Sequence, residues 1–172
     1  KILGAYHQYF AVNKALQRTV DAVKGDGKLG VFWHTQGSGK SFSMLFFTHL
    51  VIQHFAESTI LVVTDRKDLD QQLYGQFGRC KEFLRTEPVN ASSRSELIEL
   101  LKNRQSGGII FTTIQKFEEG NEPLSTRKNI IVMTDEAHRS QYGDEHWDAR
   151  TETMKKGQAL KMREALPGAS FI

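Results

Sequence analysis

Two short segments carry residue types that could do chemistry together. Thr35-Gln36-Gly37-Ser38-Gly39-Lys40-Ser41 follows one apolar run, and Asp135-Glu136-Ala137-His138 ends another, Ile130-Ile131-Val132-Met133-Thr134. Gly37 and Gly39 let a backbone bend close to an anion with no side chain in the way. Successive amides can then point inward, and a helix starting near Lys40 adds the positive end of its dipole. Lys40 supplies a mobile cation for the outer phosphates, and Ser41 a hydroxyl for magnesium. The general phosphate-loop pattern has a further glycine where this chain has His34. Without it, the segment could also be a glycine-rich turn before a helix.

The second segment delivers two carboxylates at the tip of a β-branched run. Neighbouring strand residues point to opposite sides, so the two can do different work. Asp135 would hold magnesium through water. Glu136 would orient and deprotonate an attacking water. His138 would bond across the site as a coupling residue. Alone, the segment could be an acidic loop after a strand. Downstream of a phosphate loop, it points to cleavage of a nucleoside triphosphate.

These groups need elements to place them. Val12, Leu16, Val20 and Val23 give residues 7–23 a helical stripe, which Gly25-Asp26-Gly27 breaks. Residues 29–33 predict a short buried strand, and 41–55 a helix lying under a sheet. Residues 59–63 predict a second buried strand, ending at Thr64-Asp65-Arg66. Leu69, Leu73 and Phe77 give the next helix its face. Residues 79–92 are ambiguous, with room for a short strand. A helix holds 97–101, and Gly107-Gly108 precedes a strand at 109–111. Another strand is expected at 129–134, a polar loop at 141–148, and a helix over 154–166 stopped by Pro167-Gly168. Residues 169–172 look like the start of a buried strand, so the chain is expected to be a piece of a longer polypeptide. Continuous apolar strands alternating with helices predict an α/β fold with a mostly parallel sheet covered on both faces. In such sheets ligands bind beyond the carboxyl ends of the strands, where the motifs fall.

The 172 residues suffice for one domain with a real core. Composition is that of a globular protein, 39% hydrophobic and 25% charged. A net charge of +3 allows nucleic-acid contact without demanding it. No apolar run is long enough to span a membrane, and the start does not look like a signal peptide. The single cysteine, Cys80, rules out an internal disulfide and fits a reducing, cytoplasmic setting. His7, His49, His54 and His146 lack the spacing of a zinc site.

The wording around the motifs is specific. Tyr6-His7-Gln8-Tyr9-Phe10-Ala11-Val12-Asn13-Lys14-Ala15 precedes Trp33-His34-Thr35 and the loop. Val63-Thr64-Asp65-Arg66-Lys67-Asp68-Leu69, Phe111-Thr112-Thr113-Ile114-Gln115-Lys116-Phe117 and Asp135-Glu136-Ala137-His138-Arg139-Ser140-Gln141-Tyr142-Gly143 follow in order. The chain resembles a superfamily 2 helicase-type motor. More closely, from Lys1 to Ile172, it resembles the restriction (motor) subunit of type I restriction-modification enzymes. In that family a histidine at the position of His34 is usual.

The resemblance implies a three-layer P-loop NTPase (RecA-like) domain. Residues 1–172 would be the first lobe of an ATP-driven motor that pulls double-stranded DNA before cleavage. ATP and magnesium are the implied cofactors. Gln8 would meet the adenine edge with Tyr6 or another aromatic nearby. Thr35, Gln36, Gly37, Ser38, Gly39, Lys40 and Ser41 would bind ATP. Lys40, Asp135, Glu136 and His138 would be catalytic, and Ser41 and Asp135 would hold magnesium. Thr64, Asp65, Arg66, Thr112 and Thr113 match motifs whose loops face DNA, where hydroxyls and amides would grip phosphates. Asp65 or Asp68 could alternatively cap the following helix. Implied partners are double-stranded DNA, methyltransferase and specificity subunits, and a second motor lobe. The family's Glu-x-Lys nuclease triplet does not occur in the chain. The alternatives are another superfamily 2 helicase or remodeller, and a nucleotide-binding interaction module without turnover.

Overall fold

A computed structural model of the chain describes residues 4–32, 37–65, 67–117, 122–135, 146–148, 153–155 and 157–172. Helix α1 (Tyr6–Lys24) opens the chain and α2 (Lys40–His54) follows the glycine loop. Strand β1 (Thr59–Thr64), α3 (Lys67–Arg79), the single turn α4 (Lys81–Leu84) and β2 (Val89–Asn90) come next. Then α5 (Arg94–Asn103) and β3 (Ile109–Thr113) lead into a 3-10 turn, Ile114–Phe117. The described remainder holds β4 (Ile130–Thr134), β5 (His146–Asp148), β6 (Thr153–Lys155), α6 (Gln158–Ala165) and β7 (Ser170–Phe171).

Five strands form one sheet in the order β2-β3-β1-β4-β7, every pair parallel. The central strands are buried on both faces because their residues are apolar without alternation. Side-chain parity splits the core in two. Ile60, Val62, Ile109, Phe111, Ile131 and Met133 face α1 to α4. Leu61, Val63, Ile110, Ile130 and Val132 face α5, the 3-10 turn and α6. The expected three-layer α/β architecture is therefore present. No helix among the described residues is long and apolar enough to cross a membrane.

Three local expectations fail. Residues 29–32 are not a strand. Lys28 makes a single parallel bridge to Phe171. Beyond it Gly30 turns at φ +132° and Val31 is 67% exposed, so the apolar run leaves the sheet. Part of the polar stretch 141–148 is strand rather than loop, since β5 pairs antiparallel with β6. Main-chain bonds make that ribbon, and polar composition does not advertise them. The helix expected from 154 begins at Gln158, because residues 153–155 belong to β6 and Gly157 is its N-cap in extended conformation.

Candidate functional site

The parallel register brings the carboxyl ends of β1, β3 and β4 to one edge. Thr64 sits opposite Thr113, and Val63 opposite Thr134. Asp135 follows β4 and stays tied to the ladder, its amide donating to the Val63 carbonyl at 2.9 Å. Strand alternation sends Asp135 to the side of Ile131 and Met133, the side covered by α2. Thr48 of α2 donates to Met133 Sδ at 3.8 Å on that same side.

Helix α2 starts at this edge because two left-handed glycines turn the chain into it. Gly37 has φ +80° and Gly39, the N-cap, φ +84°. Lys40 and Ser41 are its first two residues, and buried Leu45, Phe47 and Val51 anchor the body behind them. Lys40 Nζ lies 2.6 Å from Asp135 Oδ1. Lys40 is 34% exposed and Asp135 13%, so the pair is sheltered but open to solvent on one side. The structure thus joins the two segments that the sequence set far apart.

Gln8 adds a third member. Its Oε1 accepts from the Ala5 amide at 2.8 Å, and its Nε2 donates to the Gly39 carbonyl at 3.0 Å. The side chain is only 6% exposed. An amide has two donors and two lone pairs. With these two bonds made, one N–H and one lone pair remain among the described residues, the pair an adenine edge requires. His7 Nε2 lies 3.3 Å from the Ser38 carbonyl, a second tie between α1 and the loop. Sequence reasoning set His7 aside, and its place beside Gln8 was the available signal. Tyr6, Tyr9 and Phe10 form an exposed aromatic cluster next to Gln8, with Tyr6 and Phe10 centroids 4.5 Å apart.

The residues expected to face DNA divide. Thr64, Thr112 and Thr113 reach the right edge but are buried. Thr112 is fully enclosed and its hydroxyl has no hydrogen-bond partner among the described residues. Asp65 is partly exposed, and its carbonyl accepts from Gln115 Nε2 at 2.8 Å. Gln115 was not singled out from the sequence. Its position inside the Thr112-to-Phe117 motif was the only hint. Thr35, Gln36, Arg66, Glu136 and His138 lie outside the described residues.

The donor set suits a nucleotide with its divalent ion. A left-handed glycine pair at a helix start offers amides to an anion. A lysine beside it offers a point charge. A serine hydroxyl and a carboxylate offer the oxygen ligands that magnesium prefers. At Gly37 an added Cβ would meet nothing within 4 Å, so the cradle is open there.

A family model described as SWI2/SNF2 ATPase matches residues 7–172. The HindI type I restriction enzyme endonuclease subunit of Haemophilus influenzae is 47% identical over 181 residues, which cover 100% of this chain and 17% of that protein. A putative type I restriction enzyme endonuclease subunit, MjaIXP, of Methanocaldococcus jannaschii is 39% identical over 184 residues, 100% of this chain and 16% of the relative. The chain therefore spans about a sixth of the length of these curated relatives. Among solved structures, a nuclease-deletion mutant of the Type ISP restriction-modification enzyme LlaGI, in complex with a DNA substrate mimic, superposes with a TM-score of 0.54. It is 18% identical and covers 80% of this chain and 15% of that one, a likeness of fold. The chain belongs to the SWI2/SNF2 ATPase family, and the relatives it matches from end to end are endonuclease subunits of type I restriction enzymes.

Proposed function

We propose that this chain is the first, ATP-binding lobe of the motor in a type I restriction endonuclease subunit, a motor that draws double-stranded DNA before cleavage. The observation that carries the reading is the 2.6 Å pair between Lys40 and Asp135. Each partner is the countercharge of what the other would bind. Lys40 complements phosphate and Asp135 complements a divalent cation. Their meeting at a helix start supports a magnesium–nucleotide site there, with both halves side by side.

Gly37, Ser38 and Gly39 would present amides to the phosphates, with Thr35 and Gln36 leading into the loop. Lys40 would exchange Asp135 for the outer phosphates. Ser41 and Asp135 would hold magnesium, the latter through water. Magnesium there would offset charge on the phosphate oxygens. Glu136 would hold the attacking water and take its proton, and His138 would couple the site to its surroundings. Gln8 would keep its bond to Gly39 and meet the adenine edge with its remaining donor and acceptor. Thr64, Asp65, Arg66, Thr112 and Thr113 belong to the segments that would face DNA. The partners would be the other subunits of a type I restriction complex, a methyltransferase and a specificity subunit, together with a second motor lobe; the relatives' names support only that such an enzyme has an endonuclease subunit.

Lys40→Ala in the full-length protein tests the reading. Removing a preorganised charge of this kind costs on the order of 10²-fold or more in turnover. Phosphate release in the presence of ATP, magnesium and duplex DNA should fall to background. Turnover at the unsubstituted rate would overturn the assignment of the loop.

A further inference from the structure

The ladder between β1 and β3 ends with Thr64 opposite Thr113. Beyond that pair β1 is followed by α3 and β3 by the 3-10 turn. A side chain supplies the next connection. Gln115 Nε2 donates to the Asp65 carbonyl at 2.8 Å, across 50 positions of sequence. Gln115 is the exposed member of a turn that is otherwise fixed. Ile114 and Phe117 on either side are buried in the core. Arg94, at the start of α5, donates from Nη1 to the Lys116 carbonyl at 2.7 Å. The turn is thus anchored from below and from the side, and Gln115 extends that anchorage to the β1 exit.

We propose that Gln115 is a positioning residue that clips the exits of β1 and β3 to a fixed spacing, so that both engage the phosphates of one DNA strand together. The proposal rests on the reading that these two segments face DNA. The physical reason for a clip is entropic. Two separately mobile segments must each be ordered when a strand binds, whereas a pre-spaced pair is ordered beforehand. A neutral amide suits the task. It fixes main chain without adding a charge that would bind any polyanion regardless of spacing.

Duplex-DNA binding by the full-length protein, followed by fluorescence anisotropy, tests this. The variants are Gln115→Ala, Arg66→Ala and the double substitution, with ATP binding measured alongside. Gln115→Ala should weaken DNA binding about three- to tenfold and leave ATP binding unchanged, a split that general loss of structure would not produce. Arg66 follows Asp65 directly, so a clip acting on that loop predicts that the effects of Gln115→Ala and Arg66→Ala do not multiply. Full multiplication would mean that Gln115 acts by its own contact and would overturn the clip. So would DNA binding unchanged by Gln115→Ala while Arg66→Ala weakens it. If neither substitution alters DNA binding, the reading that these loops face DNA fails as well.

Discussion

A methyl group at position 39 would collide with the Gln8 side chain that ties α1 to the glycine loop. Gly39 sits at φ +84°, and an added Cβ would stand 2.6 Å from Gln8 Nε2. At Gly37 the backbone is equally left-handed, at φ +80°, but the space around it is open. Forcing an L-residue into this conformation costs about 1–2 kcal/mol at either site. Only at Gly39 is a partly buried hydrogen bond displaced as well, adding roughly 1 kcal/mol. Gly39→Ala is therefore expected to lower the unfolding free energy more than Gly37→Ala, by about that margin. Urea denaturation of the two variants measures the difference, and equal losses would mean that the Gln8 bond contributes nothing. Lys40 and Asp135 were legible individually because their types and flanking strand name their chemistry. The bonds from Gln8 to Gly39 and from Gln115 to Asp65 were not. Their acceptors are main-chain carbonyls, which every residue has, so sequence cannot say which one is used.

Elements were legible where burial is two-sided. Strands β1, β3 and β4 appeared as continuous apolar runs because helices cover both faces of the sheet. Residues 29–32 look the same in sequence, yet beyond the bridge at Lys28 and the bond from the Leu29 amide to the Phe171 carbonyl they do not form a strand, so apolar content alone does not make one. Helix packing also carries a titration that no periodicity reveals. His49 of α2 stacks on Phe83 of α4 with ring centroids 3.9 Å apart and planes 19° apart. Burial holds the imidazole below its ordinary value of 6.5, with the Arg85 charge adding to this and a main-chain bond at Phe83 opposing it. A lowered folded pKa means that the unfolded chain binds the proton more readily. The contribution is then complete above pH 6.5 and is lost as pH falls toward the folded value. Melting temperature should therefore drop between neutral and mildly acid pH. His49→Phe keeps an aromatic ring against Phe83 and should flatten that part of the profile. If the variant melts with the same pH dependence, the slope belongs to other groups.

The described residues bring the candidate chemistry to one edge of the sheet. Strand order β2-β3-β1-β4-β7 could not be read from the sequence, because right-handed crossovers restrict the topology without choosing which strand neighbours which. That order makes β1 central and sets the exits of β3 and β4 on either side of it. The Lys40–Asp135 pair at β4, proposed to meet ATP, and the proposed DNA-facing clip at β3 thus lie on opposite flanks of one strand. Lys40 remains 34% exposed in this arrangement. Charges aimed at a transition state are far stronger where water is excluded, and an arginine brought in from another body adds on the order of 10³–10⁵ in related phosphoryl transfers. A lobe with its site open on one side should therefore hold nucleotide without turning it over well. The 172-residue chain alone is expected to bind ATP weakly, and duplex DNA should not raise its phosphate release above background. A longer polypeptide that includes a second lobe should show strong stimulation by the same DNA. Calorimetry for binding and a phosphate-release assay for turnover separate the two properties. DNA-stimulated hydrolysis by the isolated chain would mean that the site is complete within one lobe, and that no second body is needed to close it.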